Sequence, residues 1–319
     1  MSDRAQFCCK LLSIHNSQCN LYYSGWLCGF RKIQSALFCH IFSAFVVIIY
    51  SNSTIVWLIW IQKNLHEPMY IFIAALLFNS ILFSSALYPK ILVDILSEKQ
   101  VVTFSTCLFQ WYILYAIGGA EFWLLMFMAL DRYLAICKPL QYPTIMTKSR
   151  VNVLLTVAWT VPGFQMAVLV SAASQRKFCN FISRGIICNS TTHKLHCFPS
   201  AALKSWGLFI LVNSVFIPVI FNCFTYIHIF ITANRRGLEV RKKAMSTCLP
   251  HLIVLFNYFC LSAFDVLLAR FEGEFPQLGR FIMSVQFILY HPLFNPFIYG
   301  LKMNKISTHL QRILSCQTR

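Results

Sequence analysis

The chain has 319 residues, of which 58% are hydrophobic and only 12% charged, with a mean hydropathy of +0.63. Soluble domains carry about a quarter charged residues, so this composition excludes a soluble globule. The net charge of +17 is scattered between apolar runs, with no basic helix of interleaved aromatics. That excludes a nucleic-acid binder and makes a membrane surface the anionic neighbour.

At roughly 20 residues per span, the length accommodates about seven spans with short loops and no second domain. Residues 1–33 are polar and irregular, with Cys8, Cys9, Cys19 and Cys28 and no signal-peptide core. They read as a head without an assigned function, and the first span is expected to act as its own insertion signal. That span runs from about Ser35 to Ile61 and carries Asn52, an interhelical hydrogen-bonder rather than a usable glycosylation site. A turn at Lys63-Asn64-Leu65 leads to Pro68, well placed at the start of span two because its missing N–H costs nothing there.

Span two covers about Pro68 to Leu92, with Asn79 and Ser80 as polar residues at depth. Span three, about Phe104 to Tyr133, contains Glu121, roughly 15 Å deeper in the membrane than Asp131. An intramembrane carboxyl is functional by default, as an ion site or as a protonated group bonded to Asn79 or Ser80. Asp131 and Arg132 neutralise one another where the helix leaves the hydrocarbon, and Tyr133 offers an amphipathic ring to the interface.

Span four, about Val151 to Ala172, contains Trp159 and Pro162. The loop after it carries Cys179, Cys188 and Cys197, which with Cys107 make four cysteines on the outer side. An even number in an oxidising compartment implies bridges, and four cysteines allow three pairings. Asn189-Ser190-Thr191 is the usable glycosylation sequon. Span five is about Leu203 to Thr232, with Pro218 inside and Tyr226 near its inner end.

A short basic loop with Arg235, Arg236, Arg241, Lys242 and Lys243 feeds span six, where Pro250 is expected to kink the helix early. Span six ends near Arg270-Phe271, and span seven covers about Arg280 to Leu301, with Asn295-Pro296 and Tyr299 at its end. The tail places Ile306, Leu310, Ile313 and Leu314 on one face, as in an amphipathic helix on the inner leaflet. The basic third inner loop favours an outside amino terminus. The expected division is therefore an extracellular head at 1–33, a seven-span domain at 34–301 and a cytoplasmic tail at 302–319.

Four strings now combine. Met128-Ala129-Leu130-Asp131-Arg132-Tyr133-Leu134-Ala135-Ile136-Cys137 closes span three and is followed by Pro139-Leu140 and Tyr142, and Leu65-His66-Glu67-Pro68-Met69-Tyr70 opens span two. Lys243-Ala244-Met245-Ser246-Thr247-Cys248-Leu249-Pro250-His251-Leu252 opens span six, and Asn295-Pro296-Phe297-Ile298-Tyr299 closes span seven. In this order and spacing they resemble the odorant receptors, a branch of the rhodopsin-like seven-helix receptors. Glu121 and Arg270-Phe271 resemble the fish-like group among them.

The resemblance implies an all-α membrane protein, a seven-transmembrane helix bundle with a short amphipathic carboxy-terminal helix, in the plasma membrane. It implies binding of a small-molecule odorant outside and activation of a stimulatory heterotrimeric G protein inside, without catalysis or cofactor. Membrane lipids are the other expected partner. It further implies bridges Cys107–Cys188 and Cys179–Cys197. The usual intramembrane Asp falls on Ser80, which weakens the ion site that many rhodopsin-like receptors hold at mid-membrane.

Coupling is expected from Asp131, Arg132, Tyr133, Tyr226, Asn295, Pro296 and Tyr299. The ligand pocket is expected from Leu114, Tyr115, Gly118, Gly119 and Phe122 on span three, and Ile210 and Ser214 on span five. Phe259, Ser262, Val266 and Arg270 on span six complete it. The two glycines read equally as room for a ligand or as close helix packing. Leu114 and Leu289 stand where amine receptors place an Asp and opsins a retinal lysine, so neither ligand type is expected. A channel or transporter is the alternative class, but Glu121 is the one acidic residue deep in a span and no internal repeat appears. A rhodopsin-like receptor for a non-odorant small molecule is the alternative within the fold.

Overall fold

The computed structural model describes residues 20–23, 34–97, 101–177, 179, 182–183, 187–189, 197, 200–270, 277–303 and 305–309. Seven long helices dominate: α1 Gln34–Ile61, α2 Pro68–Leu96, α3 Phe104–Cys137, α4 Lys148–Ser174, α5 Ala201–Arg235, α6 Leu238–Arg270 and α7 Gln277–Lys302. Six contain stretches apolar and long enough to cross a bilayer. The seventh, α7, has 26 residues and is long enough by the same helical rise.

Local sequence starts these helices where they begin. Pro68 sits in the first turn of α2, and Thr103 caps α3 by accepting from the Thr106 amide at 3.3 Å. Thr147 and Ser200 cap α4 and α5 in the same way. Only Arg236 and Gly237 separate α5 from α6, so the expected basic inner loop is largely helix, with Arg241 and Lys242 on the first turns of α6. Gly237, with φ +100°, takes the left-handed turn that other residues resist. Pro250 lies within α6, which runs helical from Leu238 to Arg270.

The helix α3 is the axis. It packs on α2, α4, α5 and α6, while α7 closes the ring against α1, α2 and α6. The apolar window of α3 is 72% buried and that of α5 only 17% buried, so α5 presents most of its surface outward. Tyr50, Trp57, Trp60, Phe164, Ile220 and Phe256 are exposed apolar residues on four outer helices, a surface suited to lipid rather than water. Asn52 is wholly buried and donates to the Pro292 carbonyl at 3.1 Å, tying α1 to α7 as an interhelical polar residue should.

One end of the bundle carries a small sheet that the sequence did not suggest. Asn20–Tyr23 (β1) pairs antiparallel with Val101–Thr103 (β2), Leu21 opposite Val102, and parallel with Ile182–Ser183 (β3). Part of the head is therefore ordered backbone and not irregular. Beneath the sheet, Cys107 and Cys188 form a buried disulfide with Cα atoms 5.3 Å apart. Cys179 and Cys197 form a second, 4.8 Å apart, closing 18 residues of the same loop. Gln110 anchors the loop further by accepting from the Cys188 amide at 2.9 Å. Asn189 follows, half-buried.

At the opposite end, residues 305–309 form a helical turn after α7. Ile306 is fully buried there, and Lys305 bonds Glu67 at 2.7 Å, an ion pair that raises the Lys305 pKa. The remainder of the proposed amphipathic tail, from Leu310, lies outside the described residues. The Cys107–Cys188 bridge spans 81 residues, a constraint of about 4 kcal/mol on the unfolded chain. Cys107→Ser and Cys188→Ser should each reduce surface delivery and thermal stability severely. The double variant should cost little more than either single one in a thermal-shift assay, and additive losses would show that the bridge does not form.

Candidate functional site

Three groups of polar residues lie along α3, each held by a different set of neighbours. At mid-membrane, Glu121 is 2% exposed and its carboxylate meets three side chains from two neighbouring helices. Asn79 of α2 donates to Oε2 at 3.3 Å, Asn295 of α7 donates to Oε1 at 3.0 Å, and His291 Nε2 of α7 is in direct contact with Oε2. Asn295 also donates to Ser80 Oγ at 3.0 Å, so Ser80 reaches Glu121 only through that amide. Trp159 of α4 donates its indole N–H to Asn79 Oδ1 at 3.0 Å. The expected Glu121–Asn79 contact is present, whereas His291 was not among the expected site residues. Its sequence signal is its position four residues before Asn295, on the same helical face.

Towards the sheet end, the expected ligand stripe of α3 is well packed. Leu114 and Phe122 are buried, and Tyr115 is half-buried. A Cβ on Gly119 would lie 2.8 Å from Pro162 Cβ, and one on Gly118 would lie 2.8 Å from the Tyr258 hydroxyl. Both glycines thus permit close approach of a neighbour, the packing role rather than the open-cavity role. Tyr258 of α6 donates to the Gly118 carbonyl at 2.8 Å and lays its ring on Phe122 and on His291, with centroids 4.6 and 4.2 Å away. This residue, also absent from the expected site, joins the stripe to the Glu121 cluster.

Ser214 of α5 is buried and donates to Gln165 Oε1 of α4 at 3.0 Å. It does so from a π-helical turn, Val212–Phe216, an irregularity often found at functional sites and without a signal in the sequence. Ile210 packs against the cluster around Cys107, and Phe259 against the central core. Ser262 is half-buried on α6. The side chains of Val266 and Arg270 lie outside what the structure describes.

At the end of the bundle opposite the sheet, Asp131 is fully buried and both of its oxygens are occupied. Arg132 Nε donates to Oδ2 at 2.9 Å, and Tyr142 donates its hydroxyl to Oδ1 at 2.8 Å. Tyr142 sits on the one-turn helix Tyr142–Ile145 of the loop between α3 and α4. Burial and the neighbouring Asp131 carboxylate raise its pKa, which keeps it a donor. Tyr133 stacks edge-on against His228 of α5. Tyr299 is fully buried, with His251 Nδ1 3.3 Å from its hydroxyl, whereas the buried Tyr226 hydroxyl has no partner among the described residues. Pro296 lies inside α7, beside the Asn295 that serves the Glu121 cluster.

Comparisons with known proteins identify the family and the fold. The olfactory receptor family profile matches residues 38–317. Human olfactory receptor 2T7 is 30% identical over 91% of this chain and 95% of its own length. Human olfactory receptor 11H1 and mouse olfactory receptor 9G19 are each 32% identical over 88% of this chain, covering 87% and 93% of their own lengths. Squid rhodopsin shares the fold, with a TM-score of 0.73 at 18% identity, covering 89% of this chain and 82% of its own. The chain is therefore a member of the olfactory receptor family, a multi-pass seven-helix G-protein-coupled receptor and not an enzyme.

Proposed function

We propose that this receptor binds a small odorant from the extracellular side and activates a stimulatory heterotrimeric G protein at the cytoplasmic end. The fish-like grouping is part of the proposal and rests on Glu121 and Arg270-Phe271. The amino terminus and the sheet would face outward, and residues 302–319 would form the cytoplasmic tail. The two disulfides at the sheet end support this orientation, since bridges belong to an oxidising exterior.

The observation that carries the coupling reading is Asp131, fully buried and shared between Arg132 and Tyr142. Arg132 so held cannot reach a partner. A ligand that binds the open state better shifts the population towards it, freeing the guanidinium for the G protein. Tyr226, with its hydroxyl unpartnered among the described residues, and Tyr299, on His251, would support the open state. The ligand itself would lie against α3, α5 and α6 near Tyr115, Ile210, Ser214, Phe259 and Ser262, a mostly apolar lining with few polar groups. Arg270, at the end of α6, would anchor an odorant carboxylate, the anion a guanidinium binds in bidentate fashion.

Three measurements check these assignments. Arg132→Ala should reach the cell surface yet give no agonist-driven cyclic AMP; normal signalling at equal surface level would end the coupling role. Tyr142→Phe removes one hydrogen bond to a charged acceptor and should raise basal cyclic AMP, up to about tenfold if that bond exists only in the closed state. Arg270→Ala and Arg270→Lys should both weaken an acidic agonist, by about 2 kcal/mol or more for Ala, and barely affect a neutral ester. Equal losses for both agonist types would make Arg270 structural.

A further inference from the structure

Many rhodopsin-like receptors hold a cation at mid-membrane, and among the described residues Glu121 is the carboxylate in position to take it. The donor set around it does not fit one. Trp159 Nε1 can only donate, so Asn79 must turn its oxygen to Trp159 and its NH2 to Glu121. Asn295 donates through its NH2 to both Glu121 and Ser80. Asn52, the nearby amide of α1, donates to the carbonyls of Ile48 and Pro292. Two amide NH2 groups and an imidazole therefore face the carboxylate, while Asn52 Oδ1 and Asn295 Oδ1 are buried without a partner among the described residues, so it is the imidazole that denies a hard cation its shell of oxygens. Ser80 adds no charge at the position where a second carboxylate would be needed.

We infer that His291 replaces the cation: its ring occupies the side of Glu121 that an ion would need, making the helix three–seven junction independent of sodium. His291 Nε2 meets Oε2 directly, and the ring is held between Tyr258 at 4.2 Å and Phe83 at 6.3 Å, centroid to centroid. It is 2% exposed, so it cannot leave without opening the core. The imidazole gives the carboxylate a polar partner within the protein, which a buried carboxylate otherwise finds in an ion. His291 is thus a positioning residue that sets α7, and with it Asn295, against α3. The inference is independent of the odorant and of the G protein.

The test is thermal unfolding of purified full-length receptor in lipid nanodiscs, in sodium chloride against choline chloride at equal ionic strength. Wild-type receptor should unfold at the same temperature in both. His291→Ala should be less stable in choline and should gain a saturable, sodium-dependent rise in midpoint of about 2 °C or more. Adding Glu121→Gln to His291→Ala should abolish that gain, which a purely structural loss of packing would not produce. His291→Ser serves the same comparison if the alanine variant does not fold. Saturable stabilisation of the wild type by sodium, or sodium indifference of the His291 variants, would overturn the inference.

Discussion

The structure depends on the burial of α3. A helix surrounded by four others cannot leave its acidic side chains to water or lipid, so they need partners from the elements around it. Glu121 finds them on α2 and α7, Gly118 offers its carbonyl to α6, and Asp131 takes the loop after α3. These bonds fix how the outer helices sit on the central one. Apolar packing supplies adhesion without direction, and the polar contacts supply the register.

The same bonds describe a route between the two ends of the bundle. Tyr258 touches the ligand-side stripe at Gly118 and Phe122, lies on His291, and His291 meets Glu121. Glu121 is bonded to Asn295, four residues before Tyr299, whose hydroxyl meets His251 of α6. A small displacement of Tyr258 by a ligand would act on α6 and α7 together. Gly119 packs closely on Pro162, holding α3 against α4.

Much of this was legible in the sequence, and the exceptions have physical causes. Span positions follow from apolar length, and Asn52 and Glu121 announce themselves because polar residues inside a span need partners. The helices run a few residues past the expected spans at both ends of the bundle, α2 to Leu96 and α3 to Cys137, because a helix continues past the hydrocarbon wherever no breaker stops it. The basic residues after Gly237 were assigned to a loop for the same reason. His291, Tyr142 and Tyr258 were missed as partners because their contacts lie 170, 11 and 140 residues away in sequence. No local pattern reports such distances. The π-turn at Val212–Phe216 and the strand Asn20–Tyr23 are likewise set by tertiary contacts rather than by their own residues.

In the proposed function, the ligand acts through the bundle on a G protein. The most direct measurement is GDP–GTP exchange on a purified stimulatory heterotrimer by the receptor in nanodiscs, scanned with small odorants whose binding is scored independently by thermal shift. Odorants that stabilise the receptor as agonists should accelerate exchange in a concentration-dependent manner. Binding of many such odorants with none altering exchange on the stimulatory heterotrimer would contradict it.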